Sequence, residues 1–112
     1  LCTQAQVESI TEKIAATAEE VFGSRLSAVF LYGSYARGDY DEESDLDIMV
    51  LADVKKEDLY KYKASFIKLS SDLGLLFDML ITITLKDTET FYTYSDSPPF
   101  YNNVLKEGIK IA

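Results

Sequence analysis

A small α/β (α+β) fold, one β-sheet packed with helices, is what the sequence predicts. Three observations carry that expectation: an amphipathic helical period at the start, short β-prone apolar runs further on, and a turn-rich acidic stretch between the first two of those runs. Val7, Ile10, Ile14, Ala18 and Val21 recur every three or four positions, so residues 4–22 read as a helix, with Thr3 as its N-cap and Gly23 at its stop. Leu26 to Tyr32 is short, apolar and β-prone, the pattern of a buried strand. Gly33 to Ser44 is turn-rich, and Leu46 to Leu51 reads as a second strand. Lys56 to Leu73 has near-helical spacing with Gly74 closing it, and Leu75 to Leu85 reads as a long strand rich in Ile, Leu and Thr. A short helix over Asp87 to Tyr94 precedes the break forced by Pro98-Pro99. Tyr101 to Glu107 adds a helical turn or two, Gly108 stops it, and Ile109 to Ile111 closes as a short strand.

Composition narrows the function. The chain has 112 residues, which suits one domain over residues 1–112, with 47% hydrophobic and 27% charged residues as in ordinary globular proteins. Eleven basic residues against 19 acidic ones give a net charge of −8, which disfavours sequence-independent binding to DNA or RNA. No apolar run approaches the ~20 residues of a membrane span, so no membrane insertion is expected. The start of the chain carries acids and no cleavable apolar segment, and the single cysteine, Cys2, fits a reducing cytoplasm. Histidine is absent, so every Ser-His triad and His-ligated metal site is excluded and catalysis must run on carboxylates.

The chemistry concentrates between Gly33 and Asp47. A strand ending at Tyr32 turns through Gly33-Ser34 into a short helix; Gly33 permits close backbone approach and Ser34 offers a hydroxyl beside unpaired N–H groups, an arrangement suited to phosphate oxygens. Asp45 and Asp47 alternate with Leu46 and Ile48, so both carboxylates share one strand face at roughly 6–7 Å between Cα atoms. Carboxylates placed so repel each other unless a divalent cation sits between them, and hard oxygen ligands suit Mg²⁺ or Mn²⁺. Asp78 stands in an apolar run, where a buried carboxylate needs a metal or a hydrogen-bonding partner. If its strand lies beside the second one, Asp45, Asp47 and Asp78 form a triad able to hold two metal ions for phosphoryl or nucleotidyl transfer.

Each of these features also has a plain structural reading. Gly33-Ser34 is an ordinary strand-to-helix turn with an N-cap serine, Asp78 an edge-strand acid facing water, and Arg37 a surface partner of Asp39 or Asp41. Asp39, Asp41, Glu42 and Glu43 read as a solvated loop, and the tyrosines as core or interface residues.

The pattern Gly-Ser-x-Ala-Arg-Gly, five residues, Ser-Asp-x-Asp, then a later Asp resembles the DNA polymerase β-like nucleotidyltransferase superfamily. It is most similar to that superfamily's minimal, single-domain bacterial branch, the MNT nucleotidyltransferases, and the closing residues 99–108 fit as well. The resemblance implies a small mixed sheet of the polymerase β palm type. It implies that Gly33 and Ser34 hold a nucleoside triphosphate, that Asp45 and Asp47 bind metal and that Asp78 is the third carboxylate. Arg37 matches the arginine of the motif. It also implies transfer of NMP, AMP from ATP above all, to a hydroxyl, and a HEPN-type toxin as partner in a toxin–antitoxin pair. Two other readings stand beside this: a catalytically silent module that binds toxin or nucleotide, and adenylylation of a small molecule at a site completed by a homodimer interface.

Overall fold

The computed structural model describes residues 3–41, 44–93 and 109–111. Among these, helix α1 spans Gln4–Phe22, strand β1 Leu26–Tyr32, helix α2 Ser34–Arg37, strand β2 Leu46–Ala52, helix α3 Tyr60–Phe77, strand β3 Ile81–Asp87, helix α4 Thr88–Thr93 and strand β4 Ile109–Lys110. The strands form one mixed sheet in the order β3-β2-β1-β4. β1 pairs antiparallel with both β2 and β4, whereas β2 and β3 run parallel. None of the helices is long and apolar enough to cross a membrane, among the described residues.

The period that foretells α1 also buries it. Val7, Ile10, Ile14, Ala18 and Phe22 pack on Val29, Leu31, Leu46, Ile48 and Val50 of the sheet, joined there by Phe66 and Leu73 of α3. Thr3 closes the start of α1 with a reciprocal cap: its hydroxyl accepts from the Gln6 amide at 3.2 Å, and its own amide donates to the Gln6 side chain at 2.8 Å. The opposite face of the sheet has a smaller apolar cluster of Ala28, Phe30, Met49, Leu51 and Phe91, the last from α4. Helices α1 and α3 therefore cover one face, while the other is covered at its far end by α4 and stays accessible near Tyr32 and Asp47.

Two expectations change between residues 56 and 87. The helix of this region begins at Tyr60, after a single 3₁₀ turn at Lys56–Asp58, and it runs through Gly74 to Phe77. Gly74 does not end it. A Cβ at Gly74 would lie 2.8 Å from the Met79 carbonyl oxygen, so this glycine makes room for the chain as it reverses after the helix. The Gly74 carbonyl accepts the amides of Asp78 and Met79, and Asp78 takes the left-handed conformation at φ 52 and ψ 53. The strand expected over Leu75 to Leu85 is correspondingly displaced to Ile81–Asp87. Leu75, Leu76 and Phe77 favour a helix as readily as a strand, whereas Ile81 to Leu85 alternates β-branched residues with a two-residue period.

The short helix expected over Asp87 to Tyr94 is observed as α4, with the buried Asp87 carboxylate accepting the Thr90 amide at 2.9 Å. The closing strand is observed as β4, and the Ile111 amide donates to the Val29 carbonyl at 2.7 Å. Cys2, Tyr94, Pro98-Pro99, Tyr101 to Glu107 and Gly108 lie outside the described residues.

Candidate functional site

The site forms where β1 ends and β2 begins. β1 and β2 are antiparallel with Tyr32 opposite Asp47, so the residue after Tyr32 is carried past the Asp47 side chain. That residue is Gly33, at φ 76 and ψ −156. A Cβ on Gly33 would stand 2.6 Å from Asp47 Oδ2, closer than any real side chain tolerates. The backbone conformation favours glycine here, and any larger residue would also have to displace the Asp47 carboxylate. The Gly33 carbonyl accepts the amides of Ala36 and Arg37 at 3.1 Å each, which winds the single turn of α2. Gly38 ends it in the left-handed region at φ 84, its amide donating to the Ser34 carbonyl at 2.9 Å. Ser34 thus starts α2 directly beside the Gly33–Asp47 contact, half-buried.

Asp47 is half-buried on the accessible face, and Asp45 is exposed just ahead of β2. Burial pushes the Asp47 carboxyl above the usual carboxylate range, and the charge of Asp45 adds to that. Arg37 opposes both but does not cancel them. The guanidinium of Arg37 also meets Asp39, Nε to Oδ2 at 3.2 Å on the exposed surface, so the plain surface pairing and an influence on Asp47 coexist. Two like charges held together with one of them partly desolvated make a place where a cation lowers the energy. Two carboxylates are also the protein contribution that Mg²⁺ ordinarily takes, the rest of its shell coming from water and substrate phosphates. The donor set Asp45 and Asp47 fits Mg²⁺ or Mn²⁺ on those grounds.

Asp78 is not brought onto the sheet. It sits exposed at the C-terminal end of α3, not on a strand beside β2, and its apolar neighbours Leu75 and Leu76 face solvent instead of burying it. The cost of an unpartnered buried carboxylate, which suggested a metal role for Asp78, therefore does not arise. Among the described residues no group of three or more Cys, His, Asp or Glu side chains gathers closely enough to hold a metal ion.

The register supplies neighbours that the motif does not contain. β2 pairs with β3 so that Thr82 lies opposite Asp47 on the same face. Tyr32 and Thr84 join across that face by a side-chain hydrogen bond; burial and the charge of Asp47 push the Tyr32 hydroxyl's pKa up, keeping it protonated. The alternation of Thr82 and Thr84 with Ile81, Ile83 and Leu85 was the available signal for this wall, though only strand pairing shows which residues it meets.

Comparisons with known proteins bear on the family and the fold. The family model described as the nucleotidyltransferase domain matches residues 12–111. MJ0141 of Methanocaldococcus jannaschii, a candidate protein adenylyltransferase, is 47% identical over 62 residues, which make up 55% of this chain and 61% of that protein. MJ0604 of the same organism carries the same description and is 36% identical over 87 residues, covering 78% of this chain and 79% of its own length. Among solved structures, a toxin–antitoxin with AMP-PNP superposes at a TM-score of 0.55 with 21% identity, covering 88% of this chain and 70% of that one. A tri-AMPylated Shewanella oneidensis HEPN toxin in complex with MNT antitoxin gives a TM-score of 0.50 with 19% identity, covering 92% and 70%. At those identities the likeness to the solved structures is one of fold.

Proposed function

We propose, from the premise that this chain belongs to the nucleotidyltransferase domain family, that it transfers AMP from ATP to a hydroxyl of a partner protein in the cytoplasm, with a HEPN-type toxin as that partner. The observation that carries the reading is the contact of Gly33 with the Asp47 carboxylate beside Asp45. It puts a bare stretch of backbone, a serine hydroxyl and paired acids at one spot on an accessible sheet face. The names of the two Methanocaldococcus relatives support a protein acceptor, and the structural relatives with AMP-PNP and with an AMPylated toxin support ATP and a toxin partner. The net charge of −8 supports a protein acceptor over a nucleic acid.

In this reading Gly33 lets the triphosphate approach the backbone, and the Ser34 hydroxyl donates to a phosphate oxygen. Arg37, whose field reaches Asp47, adds positive charge beside it. Asp45 and Asp47 would hold Mg²⁺ or Mn²⁺, which would supply positive charge against the triphosphate and the departing pyrophosphate. The acceptor oxygen forms its bond to the α-phosphorus as the bond to pyrophosphate breaks, and the hydroxyl proton is released. The protein's contribution is chiefly positioning, because a hydroxyl held in line against the α-phosphate reacts as if intramolecularly.

One observation favours a second reading. Only two acids meet at the site among the described residues, which is what a silent nucleotide- or toxin-binding module would show. Labelled ATP and Mg²⁺ incubated with the chain and a HEPN protein encoded beside it, with tRNA in a parallel tube, separates the cases. Label should appear on the protein, and Asp47→Asn should lower its rate by at least about 100-fold, the scale of losing one key group in the transition state. Label on tRNA alone would sink the protein-acceptor reading, and ATP binding without any label transfer would establish the silent module.

A further inference from the structure

Three strands meet at the level of Asp47. Tyr32 of β1 lies opposite it on one side and Thr82 of β3 on the other, so the three residues form a row on one face of the sheet. The two ends of the row differ. At the β1 end the chain passes from Tyr32 into Gly33 and Ser34, and the Asp47 carboxylate lies against Gly33. At the other end stands Thr82, two strand spacings or about 10 Å from β1.

The next row on this face is Phe30, Met49 and Thr84. Tyr32 reaches diagonally across β2 into that row, because its hydroxyl and the Thr84 side chain are hydrogen-bonded. Thr84 is half-buried and engaged in this way. Thr82 is exposed, and among the described residues no side-chain hydrogen bond engages it. Of the two threonines that β3 places on this face, Thr82 is the one open to a substrate.

We infer that Thr82 holds the attacking hydroxyl of the acceptor. This rests on the nucleotidyl-transfer reading and adds which residue meets the second substrate. Displacement at phosphorus runs in line, so the attacking and departing oxygens lie on opposite sides of the α-phosphorus. With the phosphates at the Gly33–Ser34 turn, pyrophosphate departs on the β1 side of Asp47. The acceptor then arrives from the β3 side, where Thr82 stands. The Thr82 oxygen accepts a hydrogen bond from the acceptor O–H, which turns a lone pair of that hydroxyl toward the phosphorus. The bond from the acceptor oxygen to phosphorus forms as the bond to pyrophosphate breaks. The electron pair leaves with pyrophosphate, and the acceptor proton passes to water. Threonine is neutral, so it orients the hydroxyl without taking its proton.

The test separates the two substrates. Cys2→Ser removes the chain's single thiol, and Ser34→Cys and Thr82→Cys are then made one at a time in that background. Labelling of each by fluorescein maleimide, read on the chain's own gel band, is timed with AMP-PNP and Mg²⁺ and, separately, with a HEPN protein encoded beside the chain. At ten times its Kd the nucleotide should slow labelling of Ser34→Cys about tenfold and leave Thr82→Cys within about twofold. The protein, at the same multiple of its Kd, should slow labelling of Thr82→Cys about tenfold. Thr82→Val, which keeps the shape and drops the hydroxyl, should lower AMP transfer to that protein about tenfold with the KM for ATP unchanged. Thr82→Ser should stay within about threefold of wild type, and thermal melting checks the fold of both. Slowing of Thr82→Cys by nucleotide as strong as that of Ser34→Cys would overturn the proposal alone. So would a protein that leaves Thr82→Cys unprotected, or transfer by Thr82→Val at the wild-type rate. Nucleotide that slows neither variant would overturn the placing of the triphosphate at Gly33–Ser34, and this proposal with it.

Discussion

At Gly33 the smallest side chain and a carboxylate compete for one volume, and the carboxylate wins: Asp47 Oδ2 occupies the place a Cβ would take. The same logic of backbone conformation operates at Asp78 with the opposite outcome. Its φ of 52 lies where a non-glycine residue is strained, and aspartate is tolerated there chiefly because its short polar side chain costs less than most. Helix ends of this kind favour glycine. Asp78→Gly should therefore keep the fold and raise its stability by up to about 1 kcal/mol, read as a higher urea midpoint. In a labelled-AMP transfer assay, both Asp78→Gly and Asp78→Asn should remain within about tenfold of wild type, against the loss of about 100-fold expected at Asp47. A loss at Asp78→Asn as large as at Asp47 would restore Asp78 to the catalytic set.

The elements differ in how plainly the sequence announces them, and α4 shows what an announcement needs. Burial pushes the Asp87 carboxyl up, but hydrogen bonds from the Thr90 side chain and amide, with the charge of Lys86, outweigh it and hold it below the usual range. A carboxylate whose folded pKa is depressed adds stability that is present above its unfolded value, about 3.9, and lost as pH falls through the folded value. Asp87→Asn should cost about 1 kcal/mol at pH 7, and the gap between the two urea midpoints should narrow below about pH 4. A gap that stays constant across that range would remove the charge from the account of the cap. The helix α1 and the strands β1 and β2 were legible almost to the residue, because α1 has a clean period, β1 and β2 are short apolar runs, and glycine or polar residues bound them. The α3–β3 boundary was not. Leu75 to Leu80 is apolar at nearly every position, so periods of 3.6 and 2 fit it equally, and Gly74 signals a stop while serving a contact with Met79. The grouping of Gly33, Ser34, Arg37, Asp45 and Asp47 was legible because those residues lie in one continuous stretch. Thr82, Thr84 and Tyr32 were not, because strand register, which no local pattern encodes, is what brings them to Asp47.

For the molecule as a whole, two carboxylates held side by side on a chain of net charge −8 make cation and nucleotide binding a matter of stability as well as chemistry. A ligand at about 100 times its Kd adds about 2.7 kcal/mol. For a chain of this size that moves the melting temperature by about 4–8 °C per kcal/mol. Calorimetry should show such a rise with Mg²⁺ and ATP together, cancelled by EDTA and absent in Asp47→Asn; a rise of equal size in that variant would place the nucleotide elsewhere. The way the chain threads this site also bears on its ancestry. Everything assigned to the triphosphate and the cation lies between Leu26 and Ala52, a single passage out along β1, through α2 and back along β2. Helix α3 and strand β3, which supplies Thr82 opposite Asp47, come later in the chain. A duplication, fusion or recombination falling after Ala52 would leave that passage untouched and exchange α3 and β3 entire. A lineage built on this plan is free to vary α3 and β3 while leaving the Gly33–Asp47 contact intact.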